Sequence, residues 1–310
     1  MVMAKSTNCM QDGPSKMSNI PLARPAKNAQ PNGSTADCTG LRWSDGRLRA
    51  ARERIVVEEP LCVEVAYERA GQEVTRVLSV TMRTPGSDEE LALGFLYCEA
   101  IVDNARDVIG GVLLDVNSRG QKIPTWRARL RRPPSSQEVE RVSRGIITSA
   151  ACGVCGRTSL EGLRAARTHG SASQASIACE AVDALPERLE SLQVLYPGTG
   201  GCHGAGLFNE DGVAVFVRED VGRHNAVDKV IGAALAAEIP ASGMTLVLSG
   251  RAGFELVQKA AAAGIGLVVA VGAPSSLAVA LASKSAITLI GFARDRRFNV
   301  YTQAGRPVSG

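Results

Sequence analysis

The sequence predicts an α/β protein, and three observations carry that reading. In the C-terminal third, apolar runs of strand length (244–249, 265–271 and 286–291) alternate with helical stretches at 252–263 and 275–283. Strands that are apolar throughout and separated by helices belong to a mixed or parallel sheet covered on both faces, a three-layer αβα arrangement. Upstream, Leu61, Val63 and Val65 alternate with Cys62, Glu64 and Ala66, the period of a half-buried strand in a smaller α+β part. Aromatic residues make up only 4% of the 310 residues, so the core of both parts is aliphatic and alanine-rich.

Taken in order, residues 1–45 are rich in Pro, Asn, Ser, Lys and Gly without apolar periodicity, and read as a disordered extension. The smaller α+β part spans 46–143. It holds strands at 54–60 and 61–67, a turn at Arg69-Ala-Gly71-Gln72, and a returning strand at 73–82. Ser87-Asp-Glu-Glu90 has the capping-box spacing and starts a helix through Leu91, Leu93, Phe95 and Leu96. Further strand-like sequence runs to Pro133-Pro134. The third part, 144–310, opens after another capping box at Ser135–Glu138. A strand at 145–149 leads to Cys152-Gly-Val-Cys155, and a third capping box follows at Thr158–Glu161. Asp211-Gly212 is a hairpin turn, and Asn225 is placed to cap a helix running to Glu238.

The chain is 45% hydrophobic and 21% charged, with a formal net charge of +4. That is ordinary for a globular protein and too weakly basic for a general nucleic-acid binder. No signal-like segment opens the chain. The longest nearly apolar stretch, 260–273, contains three glycines and is too short for a bilayer, so neither membrane nor nucleic acid is an expected partner. The expected location is cytoplasmic, where scattered cysteines stay as thiols and a CxxC is catalytic, redox-active or metal-binding.

Cys152 and Cys155 are the centre of the functional question. They lie in a strand-to-helix loop ahead of a capped helix and beside Arg157, and both features favour thiolate over thiol. Three readings stand side by side. The pair is incidental, or half of a zinc site whose other ligands converge from afar, or a reactive sulfur carrier. No second CxxC exists to complete a zinc site of the common kind.

Ligands of open α/β sheets bind beyond the carboxyl ends of the strands. Here those ends carry Ser249-Gly-Arg251, Gly272-Ala-Pro-Ser275 and Phe292-Ala293-Arg294-Asp295-Arg296-Arg297, a cradle for phosphate built from arginines and helix-end amides. His203 and His224 are two of three histidines in the chain. With Glu219, Asp220 and Arg223 they form a polar set suited to orienting a ligand or moving a proton near neutral pH.

Four motifs in this order, Thr148-Ser-Ala-Ala-Cys-Gly-Val-Cys-Gly-Arg157, Arg218-Glu-Asp-Val-Gly-Arg-His-Asn-Ala226, Ser249-Gly-Arg-Ala-Gly-Phe-Glu255 and Gly291-Phe-Ala-Arg294, resemble the FdhD family of formate dehydrogenase accessory sulfurtransferases. The resemblance runs from about Ile55 to Thr302. It implies a cytidine-deaminase-like C-terminal domain, a homodimer, and sulfur transfer from a cysteine desulfurase to the molybdenum cofactor (bis-molybdopterin guanine dinucleotide) before that cofactor enters apo-formate dehydrogenase. Cys152 would carry the persulfide and Cys155 would assist. The guanine-dinucleotide site would match Phe292–Arg297, and no metal of the protein's own is implied. Deaminase activity itself is not expected, because no HxE and no Pro before Cys152 occur. The alternative is a non-catalytic cofactor chaperone, or a zinc-binding module with the CxxC as a structural site.

Overall fold

A computed structural model describes residues 33–135, 142, 147–148, 176–304 and 307–309 of the chain. The first two strands, β1 (Thr35–Ser44) and β2 (Arg47–Val56), form an isolated antiparallel ribbon. Asp45 and Gly46 close it with φ of 52° and 73°, the turn that an Asp-Gly pair favours between twisted strands. Ordered structure therefore begins inside the stretch whose composition suggests disorder through residue 45. The Asp-Gly pair is the sequence signal that outweighs that composition.

β3 (Glu59–Arg69) and β4 (Gln72–Arg83) pair over their full length and turn at Ala70-Gly71. With β5 (Val108–Leu114), β6 (Thr125–Leu130) and β7 (Ile147–Thr148) they make a five-stranded sheet of order β5-β6-β3-β4-β7. β7 is the described part of the strand that leads toward the cysteine pair. It runs parallel to β4, Val80 opposite Ile147 and Thr81 opposite Thr148. Helix α1 (Asp88–Cys98) starts as the sequence suggests but without a capping box. Ser87 sits at φ 55° with no side-chain cap, and Glu90 turns away to grip Arg218 at 2.5 and 2.6 Å. A buried ion pair outcompetes the local bond.

The second sheet has six strands in the order β10-β9-β11-β12-β13-β14. β11 (Thr245–Leu248), β12 (Leu267–Ala270) and β13 (Thr288–Arg294) are the parallel strands expected from the apolar runs. The antiparallel strands β9 (His203–Phe208), β10 (Ala214–Asp220) and β14 (Arg297–Thr302) flank them. One face is covered by α2 (Cys179–Leu192), whose Val182, Leu185 and Leu189 meet Phe208, Val247, Val269 and Ile290. The other is covered by α3 (Arg223–Ala236), α4 (Phe254–Ala262) and α5 (Ser276–Lys284). The Ser275 hydroxyl caps α5, accepting from the Ala278 amide at 3.2 Å. Three layers result. The core under α3 also takes in Ala92 and Leu96 of α1 with Val63 and Val65 of β3, so the two sheets share one apolar interior.

The contact between α1 and α3 is made by backbone. A Cβ on Gly94 would stand 1.9 Å from the Asp228 carbonyl oxygen, and one on Gly232 would stand 1.8 Å from that of Glu90. Only glycine permits this approach. It places the start of α3 against the end of β4.

The capping boxes at Ser135–Glu138 and Thr158–Glu161 lie outside the described residues, apart from Ser135 itself. No helix among the described residues is long and apolar enough to cross a membrane.

Candidate functional site

The carboxyl ends of the parallel strands are stitched into a row by backbone bonds. Ser249 N donates to Gly204 O at 3.0 Å, Gly272 N to Gly250 O at 2.9 Å, and Phe292 N to Gly272 O at 3.1 Å. The Ser249 hydroxyl accepts from Gly204 N at 2.8 Å, so it fastens β9 to β11 rather than pointing at a ligand. A Cβ on Gly250 would meet the His203 ring at 3.2 Å, and one on Gly272 would meet Arg251 at 3.0 Å. The two glycines let His203 and Arg251 lie flat along this edge.

Next to the row stand two helix N-termini. α3 and α4 begin after Gly222 and Gly253, and neither has a side-chain cap. Such ends present free amides and a partial positive charge. Arg223 and Arg251 add full charges, and the buried Arg223 Nε has no hydrogen-bond partner among the described residues. An uncapped helix pair with an unsatisfied guanidinium nitrogen fits an anionic group.

The two imidazoles are held neutral. Burial lowers the pKa of His203, and Arg223 and Arg251 lower it further against the pull of Asp220. Burial, Lys259 and Arg223, with a contribution from His203, push His224 down to about 3. His224 Nε2 lies 3.1 Å from Glu255 Oε2. Because the folded-state value of His224 is below its ordinary 6.5, the unfolded chain binds the extra proton first as pH falls. Stability present above pH 6.5 is therefore lost progressively down to about pH 3. A His224→Gln variant is expected to flatten this loss by at most about 1.4 kcal/mol per pH unit, read from urea midpoints across that window. An unchanged slope would refute it.

Beneath the first turn of α3 lies a buried polar network. The carboxylate of Asp220 pairs with Lys229 at 2.7 Å. It also accepts from Thr84 N at 3.1 Å, Gly222 N at 2.8 Å and Asn225 Nδ2 at 3.0 Å. Asn225 does not cap α3, which starts two residues earlier. Its amide instead donates to Met82 O at 2.7 Å, while its oxygen accepts from the Thr81 hydroxyl at 3.1 Å. The network thus ties Arg223 and His224 to the end of β4. Glu219 leaves this set, because alternation along β10 turns it to the other face. There its carboxylate accepts from the amides of Val194, Leu195 and Tyr196 at 2.6–2.9 Å. The buried Cys202 thiol also points at Glu219, 3.2 Å away. Burial and that carboxylate push the thiol far up, so Cys202 is a poor nucleophile.

The structure brings His203, His224, Ser249 and Arg251 together, with Phe292 in the same backbone row. The stretch 292–297 is no open loop. β13 continues through Arg294, and Asp295 and Arg296, both near φ 55°, turn the chain directly into β14. The antiparallel partner β14 carries the third parallel strand past Gly291 through a bulge at Phe292, whose φ is 55°. Ala293 is buried in the core under α2 and offers a ligand only its backbone. Arg294, Arg296 and Arg297 are exposed at the hairpin tip, and Arg294 and Arg297 lie 3.9 and 4.0 Å from Asp295. Cys152 and Cys155 lie outside the described residues. Among the described residues no group of three or more His, Cys, Asp or Glu is arranged to hold a metal ion. Sequence reasoning missed Lys229 and Glu255 as members of this region. Glu255 closes the third motif, and its place in the first turn of a glycine-led helix was the available signal.

Residues 56–308 match the FdhD/NarQ family. The chain belongs to the FdhD/NarQ family. Among its relatives, the "Sulfur carrier protein FdhD" of Mycolicibacterium paratuberculosis is 46% identical over 269 residues, covering 84% of this chain and 94% of the relative. The protein of the same name from Nocardia farcinica is 44% identical, covering 84% and 90%. A formate dehydrogenase accessory protein of Desulfotalea psychrophila has the same fold, with a TM-score of 0.64 at 23% identity over 88% of this chain and 99% of that one. Placed on that family frame, the match takes in β3 through β14, including β8 (Ile177–Ala178), which pairs in parallel with β15 (Val308–Ser309), and leaves out β1 and nearly all of β2.

Proposed function

We propose that this FdhD/NarQ member is a sulfur carrier serving formate dehydrogenase maturation, with Cys152 as the carrying atom's anchor. The relatives' shared name supports sulfur carriage. The observation that carries the reading for this chain is the register of β7 on β4. Thr148 sits opposite Thr81, whose hydroxyl donates to Asn225 beside His224. Cys152 follows Thr148 by four residues, a stretch that spans at most about 14 Å when fully extended. The chain leading to the thiols therefore starts at the anion-suited edge.

In the loading step the Cys152 thiolate attacks the outer sulfur of a cysteine desulfurase persulfide. The donor's S–S bond breaks, a new S–S bond forms at Cys152, and the donor cysteine leaves as a thiolate. Cys155 assists release. The substrate that receives the sulfur is bis-molybdopterin guanine dinucleotide, whose diphosphates suit Arg223, Arg251 and the amides at the starts of α3 and α4. Arg294, Arg296 and Arg297 on the hairpin tip supply further charge for the guanine-nucleotide end. The protein works as a cytoplasmic homodimer, its C-terminal layers forming a cytidine-deaminase-like domain, and hands the cofactor to apo-formate dehydrogenase.

Incubation with a cysteine desulfurase and cysteine is expected to add the mass of one sulfur to the intact protein, removable by reductant and absent in Cys152→Ala. No gain, with metal at stoichiometric level, would leave the CxxC as a structural metal site and overturn the proposal.

A further inference from the structure

Glu255 is the second residue of α4, and His224 is the second residue of α3. Their contact, Nε2 to Oε2 at 3.1 Å, joins the two uncapped helix ends across the edge of the sheet. Both side chains are largely shielded, at 16% exposure for His224 and 28% for Glu255. The neighbours that face the ring come from every element around it. His203 arrives from β9 with Asp220 of β10 beside it, and Arg223 from α3 itself. Arg251 approaches the same edge from the loop after β11, next to His203. Lys259 stands one turn along α4 from Glu255, held by Asp228 at 2.7 and 2.8 Å. The surroundings are cationic apart from Asp220, Asp228 and the carboxylate touching the ring.

A neutral imidazole carries one hydrogen, and an ionised carboxylate can only accept. The contact with Glu255 therefore fixes that hydrogen on Nε2 and makes Nδ1 the accepting nitrogen. Orienting a functional imidazole through its far nitrogen is the role carboxylates play behind many metal-bound and catalytic histidines. A carboxylate in the first turn of a helix is also favourably placed against the helix dipole, which suits Glu255 to a fixed position.

We propose that Glu255 is a positioning residue that holds His224 as its Nε2–H tautomer, so that Nδ1 accepts a hydrogen bond from an O–H, N–H or S–H group of the bound substrate. The assignment rests on the sulfur-carrier reading only for what that substrate is. No bond to carbon or sulfur is made or broken by His224. Its contribution is acceptance at Nδ1, with the Nε2 hydrogen shared toward Glu255.

The test uses the full chain labelled with ¹⁵N-histidine. Long-range ¹H–¹⁵N spectra distinguish the two nitrogens of each ring, and His224→Gln assigns the His224 signals among the three histidines. Between pH 6 and pH 8 the His224 ring is expected to show one tautomer, protonated at Nε2. In Glu255→Leu it becomes a mixture. Glu255→Gln keeps the side-chain volume and guards against misfolding, and it also gives a mixture, because its amide meets the ring as donor or acceptor. The same variants are expected to lower sulfur delivery in a reconstituted formate dehydrogenase activation assay about 10-fold, with the His224→Gln/Glu255→Leu double variant no worse than His224→Gln alone. A wild-type ring protonated on Nδ1, or an unchanged single tautomer in both Glu255 variants, overturns the proposal, as does additivity in the double variant. If the wild-type protein takes up no sulfur, the carrier reading fails on its own, and the tautomer result still decides the role of Glu255.

Discussion

A Lys229→Met variant is expected to lose about 3–5 kcal/mol of stability, the range for removing one partner of a buried ion pair. Lys229 is 2% exposed and Asp220 is fully buried. The ammonium donates to Asp220 and to the Thr84 carbonyl at 2.9 Å. Without it, Asp220 keeps its three amide donors but holds an uncompensated charge. Methionine fills the space, so the loss reads as electrostatic rather than as a cavity. A Lys229→Met/Asp220→Asn double variant removes the charge while leaving an acceptor for those donors, and it is expected to recover part of the loss. Urea unfolding at neutral pH measures both. A loss below about 1 kcal/mol in the single variant would mean that the pair is solvated, as surface pairs are. The effect also reaches the site, because the same carboxylate holds Gly222 and Asn225 on either side of Arg223 and His224.

The second large effect is expected from Gly232→Ala. Alanine gains roughly 1 kcal/mol over glycine in a helix interior. Against this, the added methyl would stand 1.8 Å from the Glu90 carbonyl oxygen, a backbone atom that no side-chain rotation can move. The helices must separate, and overpacking of a filled core costs typically 1–3 kcal/mol and occasionally more. The clash wins, and a net loss of about 2 kcal/mol or more is expected from thermal and urea unfolding. Gly110→Ala in β5 is the control. Open space surrounds that position, so its change is expected within about 0.5 kcal/mol. Equal effects at the two sites would show that α1 and α3 are not packed backbone to backbone.

The parallel strands were legible because each is apolar on both faces, and Ser275 and Asp211-Gly212 were legible because their chemistry is local. Of the flanking strands, β9 and β10 are buried or half-buried throughout, whereas β14 has no buried position and no apolar run, so its pairing with β13 was hidden. The site was legible in its motifs but not in its wiring. Composition places lysine and aspartate at the surface, yet Lys229, Asp220, Lys259 and Asp228 are buried because each meets an oppositely charged partner on another element. Ser87 and Asn225 show the converse. Each has the residue type of a helix cap, but Ser87 has lost its capping-box partner Glu90 to the long-range pair with Arg218, while Asn225 is taken by the backbone of Met82 and by Asp220.

The shared interior of the two sheets has a thermodynamic consequence. Leu96 of α1 and Val65 of β3 lie in the same core as Val230 of α3 and Leu246 of β11, so melting either sheet exposes apolar surface of the other. The two sheets are therefore expected to melt together, giving a single heat-absorption peak in calorimetry, and two resolved peaks would show that they unfold separately. A fragment cut between the sheets would carry half of a core into water, and neither half is expected to fold on its own.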